Sequence, residues 1–404
     1  MPLAVVSAAA AAGLATLVLR PRSGLIESAP VEATAYFSRE EIDRARAYQR
    51  PQRALALAGM ALDGAALALL TLRPPERLRN ALAAAGTRPL GGAAAVGAGL
   101  SLGFGALSLP LSAIRHRRAV KAGISVQKWG PWLGDLAKAS AIGAALNAGV
   151  LAGAMGVVRR FPGSWWAPTA AGATALSSTF ILLSPVLLDP VFNKFEPLPE
   201  GELRKEVLEL ADRAGVKVGE VYRVDASRRT TAANAYVTGL ARTKRVVLFD
   251  TLLRDFPPAE VRSVVAHELS HVRHRDVQRA LAWLAIAAPA GLHLVQRLTE
   301  RLSPPARKQP GPEMLPALVL SLGAVSFVGS IANNVLSRRV ETRADAFALE
   351  LTDEPEAFIE LEKRLAIKAL ADPEPPRLLQ KLFGTHPTTV QRIGYALAYA
   401  PRSG

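Results

Sequence analysis

His267-Glu268-Leu269-Ser270-His271 is the part of the chain whose residue types and spacing could do chemistry. Positions i and i+4 of an α-helix share a face, so His267 and His271 would offer two imidazoles to one metal ion. Glu268, beside the first imidazole, would reach a water at that metal and serve as the general base for hydrolysis. The bland alternative is a solvated helix face that happens to carry two histidines. The flanking residues argue against it. Pro257-Pro258 opens a helix, and Val261, Val264, Val265 and Ala266 form an apolar stretch that would bury its back.

Two ligands leave a hydrolytic zinc site short of one, and His2Glu is a standard set with a fourth position for water. His274 follows His271 by three residues, but a metzincin continuation needs Gly at 274 and His at 277, where this chain has His274 and Val277. His274 reads instead as a polar residue closing the helix. Farther along lies Ser337-Arg338-Arg339-Val340-Glu341-Thr342-Arg343-Ala344-Asp345. Glu341 and Asp345 are four apart and project to one side of a helix. Glu341 could bind the metal while Asp345 accepts the N–H of a ligating histidine. The same spacing also suits an ordinary salt-bridged face with Arg338 and Arg343, and spacing does not choose between the two.

The elements that must position these residues are mostly apolar. The chain has 404 residues, 50% of them hydrophobic, with no Cys and a formal charge of +15; its mean hydropathy is +0.18. Absence of Cys removes thiolate sites and leaves His and carboxylates to hold a metal. Residues 189–279 hold 16 Lys+Arg against 14 Asp+Glu, residues 334–404 hold 10 against 10, and the remainder holds 23 against 10. The positive excess therefore sits between apolar segments, where basic residues flank membranes, and nucleic-acid binding is excluded.

Seven segments are long enough to span a bilayer, which takes about 20 residues: 2–19, 54–72, 91–114, 136–157, 165–188, 280–298 and 313–333. The first has no basic n-region and is read as a retained span. Loops 20–53 and 115–135 carry 12 Lys+Arg together, against 9 on the opposite side. This bias places 189–279 and the C-terminus in the cytoplasm. The polar segment after span five reads as mixed α/β, with a helix over 202–214 and strands at Val221–Val224, Arg245–Phe249 and Asn234–Gly239. Arg301–Pro312 is the clearest irregular loop. Asp63 and Asn147 lie within spans two and four, and such groups need a partner or water.

With these pieces assembled, the chain resembles the type I CAAX prenyl endopeptidase family of integral-membrane gluzincins. The motifs run from about residue 185 to 395: Pro190 to Leu198, Asn234-Ala235-Tyr236 with Gly239, Val247 to Leu253, the HExxH itself with Ser270 for the usual Gly, Ser337-Arg338 with Glu341 and Asp345, and Thr385-His386-Pro387 with Arg392-Ile393. The Ala/Arg-rich, Cys-free composition looks bacterial. The resemblance implies Glu341 as third ligand to one zinc ion, with Asp345 behind the ligands. It implies that Asn234, Ala235 and Tyr236 lie on an edge strand that pairs with extended substrate, and that His386 and Arg392 face the tetrahedral intermediate. Without it, Asn234 would read as a turn residue, His386 as a loop residue and Arg392 as a solvated helix charge.

The expected architecture is mainly α: a seven-span helical membrane protein whose mixed α/β zinc-protease domain closes the cytoplasmic side. The divisions are 1–188 (five spans), 189–279 (first part of the protease domain), 280–333 (spans six and seven) and 334–404 (second part). The resemblance further implies a water-filled chamber between the spans. The expected activity is that of a zinc metalloendopeptidase of the cell membrane, acting on peptide or protein substrates, lipid-modified or membrane-embedded chains among them, and in contact with membrane lipids. Two alternatives are a heat-shock quality-control gluzincin with fewer spans, and a silent membrane scaffold with a structural metal.

Overall fold

The computed structural model describes residues 1–239, 244–303 and 310–400. Its N-terminal part is helical: α1 (Pro2–Leu19), α2 (Arg39–Leu72), α3 (Glu76–Ala85), α4 (Pro89–Lys121), α5 (Trp129–Arg160), α6 (Trp166–Leu187) and the single turn α7 (Asp189–Phe192). A four-stranded sheet and its helices follow: β1 (Phe195–Pro197), α8 (Glu202–Arg213), β2 (Glu220–Val224), β3 (Ala235–Thr238), β4 (Arg245–Phe249), α9 (Asp250–Asp255) and α10 (Pro258–Arg273). Two more long helices, α11 (Asp276–Leu302) and α12 (Leu315–Thr352), precede α13 (Pro355–Ala369), α14 (Arg377–Phe383) and α15 (Thr389–Ala398).

Seven of these helices, among the described residues, are long and apolar enough to cross a membrane: α1, α2, α4, α5, α6, α11 and α12. They match the seven expected spans, but two extend well beyond the apolar run. α2 starts at a Ser38 capping box, in which the Glu41 N–H donates to Ser38 Oγ and the Ser38 N–H to Glu41 Oε2. α12 continues to Thr352 and stops where Asp353 takes a left-handed conformation. Hydropathy marks where a helix can meet lipid, whereas a helix ends only at a cap or breaker. α12 therefore crosses 333/334 without interruption. Of the expected loop Arg301–Pro312, residues 304–309 lie outside the described residues.

Helix neighbours close a ring: α2 on α4, α4 on α5, α5 on α6, α6 on α11, α11 on α12, and α12 on α2, with α1 against both α11 and α12. Only 6% of the most apolar window of α2 and of α4 is buried. Within the ring, Asp63 of α2 accepts from Ser108 Oγ of α4 at 2.8 Å, so its carboxylate has a partner from the neighbouring wall. α4 and α5 meet closely at Gly97, where an added Cβ would overlap the Asn147 carbonyl.

The sheet has the order β1-β2-β4-β3, with β2 and β4 parallel and both edges antiparallel. The three expected strands are present, and β1 joins them as an edge. Val221, Val246 and Leu248 of the sheet share one core with Val207 and Leu210 of α8, Val261, Val265 and Leu269 of α10, Leu349 of α12 and Phe358 of α13. The lower half of a membrane-length helix thus belongs to the core of the polar domain.

Gly97→Ala is expected to lower the thermal unfolding midpoint of the detergent-solubilised protein, by overpacking worth about 1–3 kcal/mol. Gly99→Ala, with nothing within 4 Å of its added Cβ, is expected to leave it unchanged or raise it. Equal behaviour of the two would show that α4 and α5 do not meet there.

Candidate active site

α10 begins with Pro257 as its N-cap and Pro258 at its first position, where a missing N–H costs nothing. Its buried side is Val261, Val265, Ala266 and Leu269, as the apolar stretch indicated. The helix ends at His274, whose Nδ1 lies 3.0 Å from the Ser270 carbonyl, so this histidine closes the helix as expected. Arg275 then adopts a left-handed conformation (φ 55°), and α11 starts at Asp276. Two residues, His274 and Arg275, separate the HExxH helix from a membrane helix.

His267, Glu268 and His271 offer donor atoms that all lie within 4.8 Å of one another. Nε2 of His267 is 3.2 Å from Nε2 of His271 and 3.2 Å from Oε2 of Glu341. His271 Nε2 to Glu341 Oε1 is longer, at 3.8 Å. Ligand atoms around a tetrahedral zinc with bonds of about 2.0–2.1 Å stand roughly 3.3–3.4 Å apart, so the two shorter separations fit a shared ion. Tautomers agree. Asp345 Oδ1 lies 2.8 Å from His267 Nδ1, and Asp276 Oδ2 lies 3.1 Å from His271 Nδ1. With both Nδ1 atoms donating to carboxylates, both Nε2 lone pairs turn to one point. Glu341 Oε2 is buried without a hydrogen-bond partner among the described residues, as a ligand oxygen would be.

The electrostatics point the same way. Burial disfavours charge on His267, yet the Asp345 and Glu341 carboxylates beside it override burial and push its pKa up to about 10. Burial also raises the Glu268 carboxyl above its ordinary value, against the pull of His267 and His271.

The residues singled out in the sequence are not all placed alike. His386, on the connection between α14 and α15, comes to the site: its Nε2 is 3.3 Å from Glu341 Oε2, and its side chain is 58% exposed. Arg392 lies behind it. Its Nε and Nη2 donate to Asp345 at 2.9 and 2.6 Å, and its Nη1 is 2.7 Å from Glu362 Oε1. Arg392 holds the carboxylate that holds His267. A Thr388–Gln391 capping box starts α15 and so sets where Arg392 points.

Asn234 is exposed just before β3, and its carbonyl accepts from the Phe249 N–H at 3.0 Å. Asn234 and Phe249 therefore form a hydrogen-bonded pair, and alternation along the ladder turns the backbone groups of Ala235 and Val237 to the open edge. That edge strand packs against α10. Tyr236 ties β3 to α7 instead, its hydroxyl donating to Asp189 Oδ2 at 3.2 Å.

Asp276 and Arg343 were not singled out in the sequence as parts of the site. The Arg343 guanidinium donates to Asp276 Oδ1, opposite the oxygen that faces His271. Asp276 lies five residues after His271 across a helix break, so no single helical period joins them. Only the acidic residue at a helix start could have drawn attention to it.

An HExxH helix welded to a membrane helix, facing a glutamate on another, defines a membrane-integral metalloprotease. Residues 197–400 match the family model described as Peptidase family M48, and residues 25–194 match that of the CAAX prenyl protease N-terminal region, five membrane helices. The chain belongs to peptidase family M48. It is 31% identical over 303 residues to the uncharacterized metalloprotease YhfN of Bacillus subtilis, covering 74% of this chain and 71% of that protein. It is 32% identical over 234 residues to a CAAX prenyl protease 1 homolog of Arabidopsis thaliana, covering 54% and 52%. The crystal structure of S. mikatae Ste24p has the same fold, with TM-score 0.80, 21% identity and coverage of 97% and 98%.

Asp345→Asn is expected to weaken zinc binding about 10–100-fold, because the His267 tautomer loses its acceptor. Asp276→Asn is expected to do the same through His271. Competition against a chromophoric chelator reads both, and wild-type affinity in either variant would remove that carboxylate from the site.

Proposed function

We propose that this protein is a zinc-dependent endopeptidase that cleaves extended peptide segments at the membrane surface. The observation that carries the reading is the convergence of His267 Nε2, His271 Nε2 and the Glu341 carboxylate, with separations of 3.2 Å at His267. His267, His271 and Glu341 would hold the ion. Bound zinc supplies Lewis acidity, polarising the scissile carbonyl and acidifying water.

The chain's own residues do the rest. Glu268 takes a proton from the attacking water and delivers it to the leaving amine. His386 donates toward the developing oxyanion, a contribution of about 3 kcal/mol for one such donor. Arg392 and Asp345 keep His267 in one tautomer and one orientation. Asn234 and the open edge of β3 hold the substrate as an added strand, with Ala235 and Val237 supplying backbone groups. Tyr236 fixes that strand against α7. The names of the relatives support lipid-modified C-terminal segments as one substrate class, and membrane-embedded segments are compatible with the helix ring. The basic loops support a protease domain facing the cytoplasm. An intact general base speaks against a silent scaffold, which has no use for one.

Glu268→Gln is expected to keep zinc and the thermal midpoint yet lose cleavage of a fluorogenic peptide by at least about a thousandfold, whereas His267→Ala loses metal and activity together. Near wild-type cleavage by the Gln variant would sink the mechanism. Val237→Pro removes an N–H from the open edge without touching the β3–β4 ladder. It is expected to lower kcat/KM about tenfold at unchanged zinc content, and unchanged kcat/KM would take substrate off this edge.

A further inference from the structure

The open edge of β3 is stopped at one end by a membrane loop. Ala232 and Asn234 turn their carbonyls to the β4 side, where Thr251 Oγ1 donates to the first at 2.7 Å and the Phe249 N–H to the second at 3.0 Å. Thr231, out of that phase, turns the other way and donates its N–H to the Ile124 carbonyl at 3.0 Å. Val126 donates its N–H to the Arg229 carbonyl at 3.1 Å, and Ser125 stands opposite Thr230 in an antiparallel bridge. Residues 123–126, between α4 and α5, thus occupy the backbone that would prolong the free edge beyond residue 233.

This plug is pinned firmly. Thr230 Oγ1 and Thr231 Oγ1 donate to the Ile124 and Gly123 carbonyls at 3.1 and 2.9 Å. Arg229 is held by Asp135 of α5 at 2.7 Å and by Asn193 at 2.8 Å, and Gln127 donates to the same Asp135 at 2.6 Å. Thr238 and Gly239 border a hollow of about 300 Å³ that they share with Glu220, Tyr222 and Arg245 of the neighbouring strands and with Leu182, Pro185 and Val186 of α6. Among the described residues, the 231 end of the edge is closed by paired backbone.

We propose that the α4–α5 connection is a length stop: it limits how far a substrate strand can extend past the 231 end of the groove, so that the protease selects substrates by chain length on one side of the scissile bond. This rests on the peptidase reading above. A paired edge cannot accept another strand, and each backbone group that a longer peptide buries there without a partner costs about 1–3 kcal/mol, roughly five- to a hundredfold in affinity.

The test uses the full-length, zinc-loaded protein and two series of quenched-fluorescent peptides, one lengthened at its N-terminus and the other at its C-terminus around one cleavable core. In one series kcat/KM is expected to fall at least about tenfold beyond a set length, while the other stays flat. Val126→Pro, which deletes the N–H donated to Arg229, and Asp135→Asn, which loosens the clamp, are each expected to move that limit to longer peptides. Cleavage of the shortest peptide should stay within about threefold of wild type. Because the chain has no native Cys, a Ser125→Cys, Thr230→Cys pair can lock the bridge, and the oxidised form is expected to keep both the limit and the short-peptide rate. Flat profiles in both series, a limit that neither variant moves, or loss of short-peptide cleavage on locking would each overturn the length stop. Failure of zinc-loaded wild type to cleave any peptide would overturn the peptidase reading instead.

Discussion

The site depends on one fully buried carboxylate, Asp345. It takes two donors of Arg392 on one side and Nδ1 of His267 on the other. A carboxylate removed from water costs several kcal/mol unless its lone pairs are met by charge and hydrogen bonds. Here they are met, and the arrangement is directional. Because Asp345 accepts from Nδ1, the opposite nitrogen of His267 must face Glu341 and His271. Arg392 in turn spans Asp345 and Glu362, so α12, α13 and α15 are drawn together around the residue that orients the first histidine.

A second set of the same design serves the other histidine. Asp276 accepts from His271 Nδ1 and is held from behind by Arg343. The two sets differ in what they anchor. The first belongs to the helices of the polar domain, while the second joins the opening residue of α11 to α12, the helix that also carries Glu341. The positive-φ turn at Gly24, on the segment after α1, packs over the Arg343 stem. Two membrane helices and the segment that follows α1 therefore meet behind His271. Asp276 and Arg343 thus tie the orientation of His271 to the packing of α11 against α12.

The polar domain uses its sheet economically. β2 and β4 are central, and β3 lies beside α10 with the backbone of Ala235 and Val237 turned to its outer edge. An exposed edge is ordinarily an aggregation hazard. Here it is short and is covered at its 231 end by the α4–α5 connection.

Much of this was legible in the sequence by itself. Periodicity and hydropathy determine the seven spans, because a bilayer imposes a minimum apolar length that ordinary folding does not. HExxH determines two histidines on one face, because the helical repeat alone puts i and i+4 together. The strands at 221–224, 235–238 and 245–249 follow from β-rich runs between turn residues. Whether Glu341 and Asp345 were a ligand and its support or a solvated ion-pair face was not decided by their spacing, since one helical offset serves both. The tertiary structure brings α12 across α10, with Glu341 Oε2 3.2 Å from His267 Nε2 and Asp345 Oδ1 2.8 Å from its Nδ1. It alone placed Arg392 behind Asp345, matched Asp276 to Arg343 and seated the α4–α5 connection on the edge next to β3. Those contacts join residues from 5 to more than 100 positions apart, across helix breaks and between layers. No local period encodes such pairings, which arise only when separately stable helices and strands are packed together.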